Sequence, residues 1–434
     1  MFSFKKWLAD HQVSEEVRES MLREYSILLY IGGLFMNYEP KFAVLSLVQF
    51  SIFFFNNLLY IVIFVVTSFK APSLIGLSQY LNYLSLAIIS LGIYTTAFSH
   101  RDTVIRQLEI LARDFYDYGS TFDNKDAATW KADLRKFKII ILIAIPSYLA
   151  IIGVCVLFAN WIDLLFGYET DDIEYKGDIY QKSPIPLWHP YYIDSGITRA
   201  MATMGQIIEA VALSLSLGSA DVLMLMLGQT VSLQLRILCS ATIKLDDRAD
   251  RMYRELTNGL EPTQDRLERS KDEILGECYR RAIKQLVEHH LIVQEFYDLY
   301  NDLAKWPAGF AVLNGSIMIA MSIMVVTVGT SDRPSTYLNA GLLLIAEVTS
   351  MWLLCETRQQ VNGWSEELYF SLYEFDWTSL GPKNKKMILI FKEKAKSPLL
   401  MMAGGLTPIN RDTFATIMNS AYSYINLLRA SEKQ

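Results

Sequence analysis

Residues 139–162 read IIILIAIPSYLAIIGVCVLFANWI, a run without a single charge. Its length matches the ~20 apolar residues an α-helix needs to cross ~30 Å of hydrocarbon. The Asn160-Trp161 pair near its end is of the kind that settles at a lipid–water interface. Pro146 predicts a kink, because its ring removes one backbone hydrogen bond and crowds the preceding turn. A segment of this kind puts the chain in a membrane. The composition agrees, with 52% hydrophobic residues, 24 Tyr and 22 Phe in 434 residues, gathered in runs rather than at helical spacing.

Working outward, residues 41–70 form a first span without internal charge, and 71–99 a second with Tyr80, Asn82, Tyr83, Ser85 and Ser90 on a protein-facing side. A charged helical link from Arg101 to Lys138 leads to the third span. The fourth is read as a long helix that crosses from about Gly196 to Gly218 and projects to Leu238. Arg199, Glu209 and Asp221 interrupt it, and such charges are costly in lipid unless they face protein or reach the interface. The fifth span is Trp306–Val328 and the sixth Thr336–Leu354, with Glu347 inside it. The seventh runs from about Leu399 to Leu428, broken by Pro408 and Asn410-Arg411-Asp412, a break tolerable only within protein or water. Ahead of the first span, Val13, Val17, Met21, Leu22, Leu28, Leu29 and Ile31 mark an amphipathic helix over 13–38. The charges of the first 38 residues do not form a cleavable signal peptide, so the first span serves for insertion.

Loop charge orients the spans. Lys and Arg number four before the first span, eight in Arg101–Lys138, twelve in Arg236–Lys305 and seven in Arg358–Lys396. The alternate loops are poor in them: Lys70 alone, Lys176 and Lys182 among seven acids, and Arg333 alone. The expected fold is all-α, seven transmembrane helices with an intracellular N-terminus and an extracellular C-terminus. The regions are 1–40 (cytosolic, helical), 41–241 (spans one to four), 242–305 (cytosolic, helical), 306–355 (spans five and six), 356–398 (cytosolic, helical only over Lys383–Lys396) and 399–434 (span seven and the outer C-terminus).

That orientation is the reverse of a G-protein-coupled receptor. No cysteine pair is placed to tie the outer ends, and neither the Asp-Arg-Tyr triplet nor Asn-Pro-x-x-Tyr occurs. The phosphate-loop, dinucleotide, nucleophile-elbow and His-Glu-x-x-His motifs of enzymes are missing too. A transporter's proton relay through Glu209, Asp221, Glu347, Glu374 and Asp376 lacks matched interrupted helices in the two halves. Cys155, Cys239, Cys278 and Cys355 have no metal or redox spacing, and His289-His290 is read as surface or packing. No metal, cofactor or nucleic acid is expected.

The last helix, Ser420-Ala421-Tyr422-Ser423-Tyr424-Ile425-Asn426-Leu427-Leu428, is too polar to face lipid. Helical spacing puts Asn419, Ser423, Leu427 and Ala430 on one face. Two readings remain open: a helix buried in the bundle with its hydroxyls bonded to neighbours, or a helix lining a wet path. Tyr373 and Trp377 lie in a polar region, where exposed aromatics mark an interface.

The last third also carries Cys355, Gln359-Gln360-Val361, Ser365, Tyr373, Trp377, Lys383-Asn384-Lys385-Lys386, Ser397-Pro398, Ala403-Gly404, Phe414, Ser420, Tyr422-Ser423-Tyr424 and Leu427-Leu428. In this combination the chain resembles the insect odorant receptors; the first two thirds match in span layout, loop lengths and basic bias. The resemblance implies an odorant-tuning subunit of a non-selective cation channel, joined to a common co-receptor in a heterotetramer. The short region between spans four and five and the C-terminal string differ from the co-receptor's, and gustatory receptors of the same superfamily are the alternative. It also implies residence in the plasma membrane of olfactory neuron dendrites, among membrane lipids and permeant cations. By that resemblance the last half of span seven lines the pore, with Leu427 as a dewetting gate, and Met351–Leu400 anchors the subunits. A small volatile odorant would sit among the outer halves of spans two, three, four and six, which supply Tyr80, Tyr83, Ile151, Cys155, Met201, Met204, Ile208, Tyr337 and Leu344. Each of these fits a bundle core equally well.

Overall fold

The computed structural model describes residues 43–431 apart from 72, 114, 123–124, 160–162, 164–174, 264 and 329–333. Helix α1 is Ala43–Phe69, α2 Leu74–Ser99, α3 Arg101–Ala112 and α4 Lys125–Leu157. A small antiparallel sheet follows: β1 Tyr175–Lys176, β2 Ile179–Tyr180 and β3 Leu187–Trp188. Then come α5 Gly196–Ile243, α6 Leu245–Leu256, α7 Arg266–Arg269, α8 Glu273–Val328, α9 Pro334–Glu374 and α10 Pro382–Ala395. The hairpin β4 Met402–Ala403 with β5 Thr407–Pro408 leads into α11 Arg411–Ser431.

Six of these helices (α1, α2, α4, α5, α8 and α9) are long and apolar enough to cross a membrane. Their outward faces agree. On α1 the exposed residues include Leu45, Val48, Ile52, Phe55, Leu59 and Val62, an apolar stripe at three-and-four spacing that suits lipid rather than water. Helix α5 has 48 residues, α8 56 and α9 41. At 1.5 Å per residue they run ~72, ~84 and ~62 Å, far beyond a ~30 Å hydrocarbon core. Their excess length forms a projection with α6, α7 and α10.

The long helices thread three buried clusters. At the end carrying β1–β3, Tyr60, Phe64, Tyr80, Tyr83, Ile152, Val156, Leu187 and Leu343 pack together. The middle cluster includes Tyr94, Met226, Phe296, Ile319 and Cys355, with Ile417 and Ala421 of α11. The projection holds the third, around Leu238, Cys239, Ile283, Leu286, Leu368 and Phe391. Helices α4 and α5 pack closely because Gly153 has no side chain; a Cβ there would lie 2.7 Å from Ser214 Oγ. Ser195 and Thr198 form a reciprocal cap at the start of α5, settling backbone donors that the helix leaves free.

Several expectations change. Among the described residues the regular structure is helical apart from two minimal sheets, and the third span is one helix with the last part of the charged link, from Lys125. Residues 273–305 and the fifth span are a single helix running through Pro307. Residues 356–374, read as irregular, continue the sixth span, since Val361, Ser365, Leu368 and Leu372 recur on one buried face. Residues 399–410 are a hairpin and its flanks rather than half of a span. The amphipathic reading of 13–38, the Asn160-Trp161 pair and residues 329–333 lie outside the described residues.

Candidate functional site

At the sheet end a cavity of about 100 Å³ opens between α1, α2, α4, α5 and α9. Its wall is mostly apolar: Phe64, Ile152, Val156, Leu187, Leu213 and Leu343, with the hydroxyl-bearing Tyr60, Tyr83 and Ser214. The segment around β3 forms its cap. Gln206, 2% exposed, holds that cap by its amide: Nε2 donates to Ile185 O at 2.9 Å, and Oε1 accepts from Ile185 N at 2.9 Å. Trp188 N donates to Thr67 Oγ1 at 3.1 Å, and Lys70 pairs with Asp178. The cap is thereby fastened to α5 and to the end of α1.

One acid shares the wall. Glu209 is 3% exposed and accepts from Asn56 Nδ2 at 2.8 Å and Asn57 Nδ2 at 3.2 Å. Where water is scarce a polar side chain must find a partner within the protein, and the two neighbouring asparagines of α1 supply them.

Of the residues expected here, Tyr83 lines the cavity, and Tyr80 is buried in the same cluster without reaching the wall. Ile151, Met201 and Met204 turn outward, 62%, 58% and 54% exposed. Cys155, Ile208 and Tyr337 are half-buried away from the wall, and half-buried Leu344 packs against the middle cluster. The inward positions are their neighbours Ile152, Val156, Gln206, Glu209 and Leu343. A shift of one residue turns a helix by ~100°, and these helices are apolar almost all round. Gln206 and Glu209, polar and three apart in an oily run, were the signal that marked the inner face.

A second cavity of about 80 Å³ lies deeper, between α2, α5, α8 and α9, and Leu217 belongs to the walls of both. Asp221 and Arg358 line it. Ser350 Oγ donates to Asp221 Oδ2 at 3.0 Å, and Arg358 Nε meets Met401 Sδ.

Helix α11 has two unlike faces. Ile417 and Ala421 are buried, with Phe414 and Met418 packed beside them. Asp412, Thr416, Asn419, Ser423 and Asn426 are exposed at three-and-four spacing. Ser423 Oγ and Thr416 Oγ1 donate to the carbonyls one turn back, at 2.9 and 2.8 Å. Asn419 and Ser423 therefore share a bare polar face, as their spacing required. The side chains of Leu427 and Ala430 lie outside the described residues. At its base Arg411 forks onto Glu356 of α9, Nε to Oε2 and Nη2 to Oε1, both 2.7 Å. The preceding turn needs Gly404 and Gly405 at φ +57° and +79°, and it packs on Gly309, where a Cβ would lie 2.8 Å from Gly404 N.

In the projection Tyr373 and Trp377 stand 62% and 37% exposed with ring centres 6.3 Å apart, and Lys392 Nζ sits 4.3 Å over the Tyr373 ring. Deeper, fully buried His289 bridges two elements. Gln234 Oε1 is an acceptor 3.1 Å from Nε2, so Nε2 carries the proton, and Nδ1 accepts from the Tyr118 hydroxyl at 2.7 Å. Burial, helped by neighbouring cations, holds the imidazole down to about 3, and His290 is held down to about 4. Both are packing residues. Among the described residues no cluster of three His, Cys, Asp or Glu is placed to hold a metal.

A family model described as 7tm Odorant receptor matches residues 121–422. Odorant receptor 67a of Drosophila melanogaster is 20% identical over 149 residues, 34% of this chain and 36% of the relative. The putative odorant receptor 19b of the same species is 26% identical over 97 residues, 22% and 25% of the two chains. These matches span about a third or less of the relatives' length. Among solved structures, the insect olfactory receptor OR5 from Machilis hrabei aligns over 96% of this chain and 99% of its own, with TM-score 0.70 and 10% identity. The same receptor in complex with eugenol aligns over 96% and 100%, with TM-score 0.71 and 12% identity. At that identity the likeness establishes the fold.

Proposed function

The chain belongs to the 7tm odorant-receptor family, and from that premise we propose that it is an odorant-gated cation-channel subunit with its ligand in the capped cavity. The observation that carries this reading is the cavity itself: apolar, walled on one side by Ile185 and Leu187 of the β3 segment, and reached by five helices. An apolar cavity of ~150 Å³ holds benzene in another protein; the about 100 Å³ here is smaller, so a volatile ligand must be small or the walls must yield to it, and the apolar lining suits one held by area and shape. Tyr83 is retained as a ligand contact. The places proposed for Ile151, Cys155, Met201, Met204, Ile208 and Leu344 pass to Ile152, Val156, Gln206, Glu209, Leu213 and Leu343.

The bare polar stripe of α11 supports the channel half of the reading. A helix that buries Ile417 and Ala421 against its own subunit and leaves Asn419, Ser423 and Asn426 uncovered is suited to a water-filled path. In this reading α11 is the seventh span and lines a central pore, with Leu427 and Ala430 beyond Ser423 on the same face. The N-terminus lies in the cytosol, and Tyr373 and Trp377 contact another subunit. The partner is a common co-receptor in a heterotetramer at the plasma membrane of olfactory neuron dendrites.

Current recording tests this directly. Cells expressing the chain with a co-receptor should pass cation current on exposure to some member of a broad odorant panel, and cells expressing the chain alone should not. Silence across the panel with both proteins at the surface would defeat the proposal. An epitope after Gln434 should label on intact cells and one before Phe2 should not; the opposite result would defeat the orientation.

A further inference from the structure

We propose that the capped cavity selects ligands that donate a hydrogen bond, the hydroxyl of an alcohol or phenol or the N–H of an amine, and that Glu209 reads the donor. The inference rests on the capped cavity being the odorant site. Glu209 lies on its wall with 3% exposure, a setting in which an acid is costly unless something answers it. Both oxygens already accept, from Asn56 and Asn57 at 2.8 and 3.2 Å. In its ionised form the carboxyl offers about four acceptor positions, so about two remain open. No basic side chain answers Glu209 among the described residues. Asn57 Oδ1 also lacks a partner, but it is fully buried and off the cavity's lining, so the open positions facing the cavity are those of Glu209.

The other polar groups of the wall do not discriminate. Gln206 is engaged at both ends by Ile185, and the Tyr60 hydroxyl is directed to Ala202 O at 3.5 Å. The hydroxyls of Tyr83 and Ser214 both give and take. The unmet demand in this corner is for a donor. A ligand with a hydroxyl or amine meets it and lays its hydrocarbon against Phe64, Ile152 and Leu213. An ether or ester of equal size brings only acceptors and leaves the demand unmet, which is how a polar site rejects an isostere.

Isomer pairs provide the test, because they hold size and hydrocarbon area nearly constant. Hexanol against methyl pentyl ether, and para-cresol against anisole, are applied with hexylamine and further pairs on other skeletons to cells expressing the chain with a co-receptor. Donors should reach half-maximal current at about tenfold lower concentration than their ether isomers, the scale of a hydrogen bond to a charged acceptor. In Glu209→Gln the side chain both donates and accepts, and the gap should close to within about threefold. Hexylamine separates the sources: an advantage over hexanol lost in Glu209→Gln assigns an ammonium, and parity or less assigns a neutral hydroxyl. Should Glu209→Gln fail to reach the surface, the wild-type pairs decide, with thermal stabilisation of the purified complex by each isomer as a readout independent of gating. Equal or stronger responses to ethers overturn the inference and leave the channel reading intact. Silence to every compound here and across the broad panel fails the channel reading itself.

Discussion

Gln206→Leu removes the two bonds that tie the cap to α5 while keeping a side chain of similar size. In the wild type the Gln206 amide satisfies both the N–H and the C=O of Ile185 at 2.9 Å from a position 2% exposed. Each bond contributes ~0.5–1.5 kcal/mol net, so the closed cap loses ~1–3 kcal/mol relative to open, hydrated arrangements. If ligand is retained only beneath a closed cap, apparent affinity falls with the closed fraction. At ~1.4 kcal/mol per factor of ten the bound is ~5- to 150-fold. We expect a shift of about tenfold to higher odorant concentration, because the Thr67–Trp188 bond still fastens β3 to α1. Maximal current should persist, since α11, the helix proposed to line the pore, is untouched. The assay is a dose–response series at matched surface expression. Gln181→Leu serves as the control; its Nε2 bonds within the loop to Ile179 O, and its curve should not move. Superposed curves for wild type and Gln206→Leu would refute the argument, showing that this amide does not hold the cap or that the cap does not guard the ligand.

Leu427→Ser should raise odorant-independent current and alter relative calcium permeability more than Leu428→Ser, which sits ~100° away around the helix; a larger effect of Leu428→Ser would reverse the assigned face. Trp377→Ala should reduce co-purification with the co-receptor more than it reduces total protein, because Trp377 and Tyr373 are uncovered in the isolated chain. Gly309→Ala should lower thermal stability by the ~1–3 kcal/mol of an overpacked contact, since the added Cβ meets backbone at Gly404 N, 2.8 Å away, rather than a side chain that can swing aside. His289 predicts a pH dependence. Its folded value of about 3 lies below the ordinary 6.5, so the unfolded chain binds the proton first and stability falls as pH drops from 6.5 toward 3. At pH 5 this one group removes ~2 kcal/mol, and a melting temperature in detergent that falls no further in wild type than in His289→Gln between pH 7.5 and 5 would contradict it.

What the sequence determined by itself is the arithmetic of a membrane chain. Uncharged runs such as 139–162 and the polar last helix are read from water-to-lipid transfer, which acts residue by residue, and the basic bias of alternate loops is counted along the chain. The polar stripe of Asn419 and Ser423 was legible for the same reason: polar residues at helical spacing need no partner to declare a face. The rotation of the apolar helices was not. Ile151 and Ile152 are chemically identical, and only packing against α5 sends one outward at 62% and buries the other at 6%. Nor did local pattern show that residues 356–374 prolong the sixth span, because the apolar face that keeps them helical is completed by α5, α8 and α10. Glu209 stood out in the sequence as an acid in an oily run. What answers it, Asn56 and Asn57, lies 153 and 152 residues earlier, and that meeting is made by helix packing, which no neighbouring residue encodes.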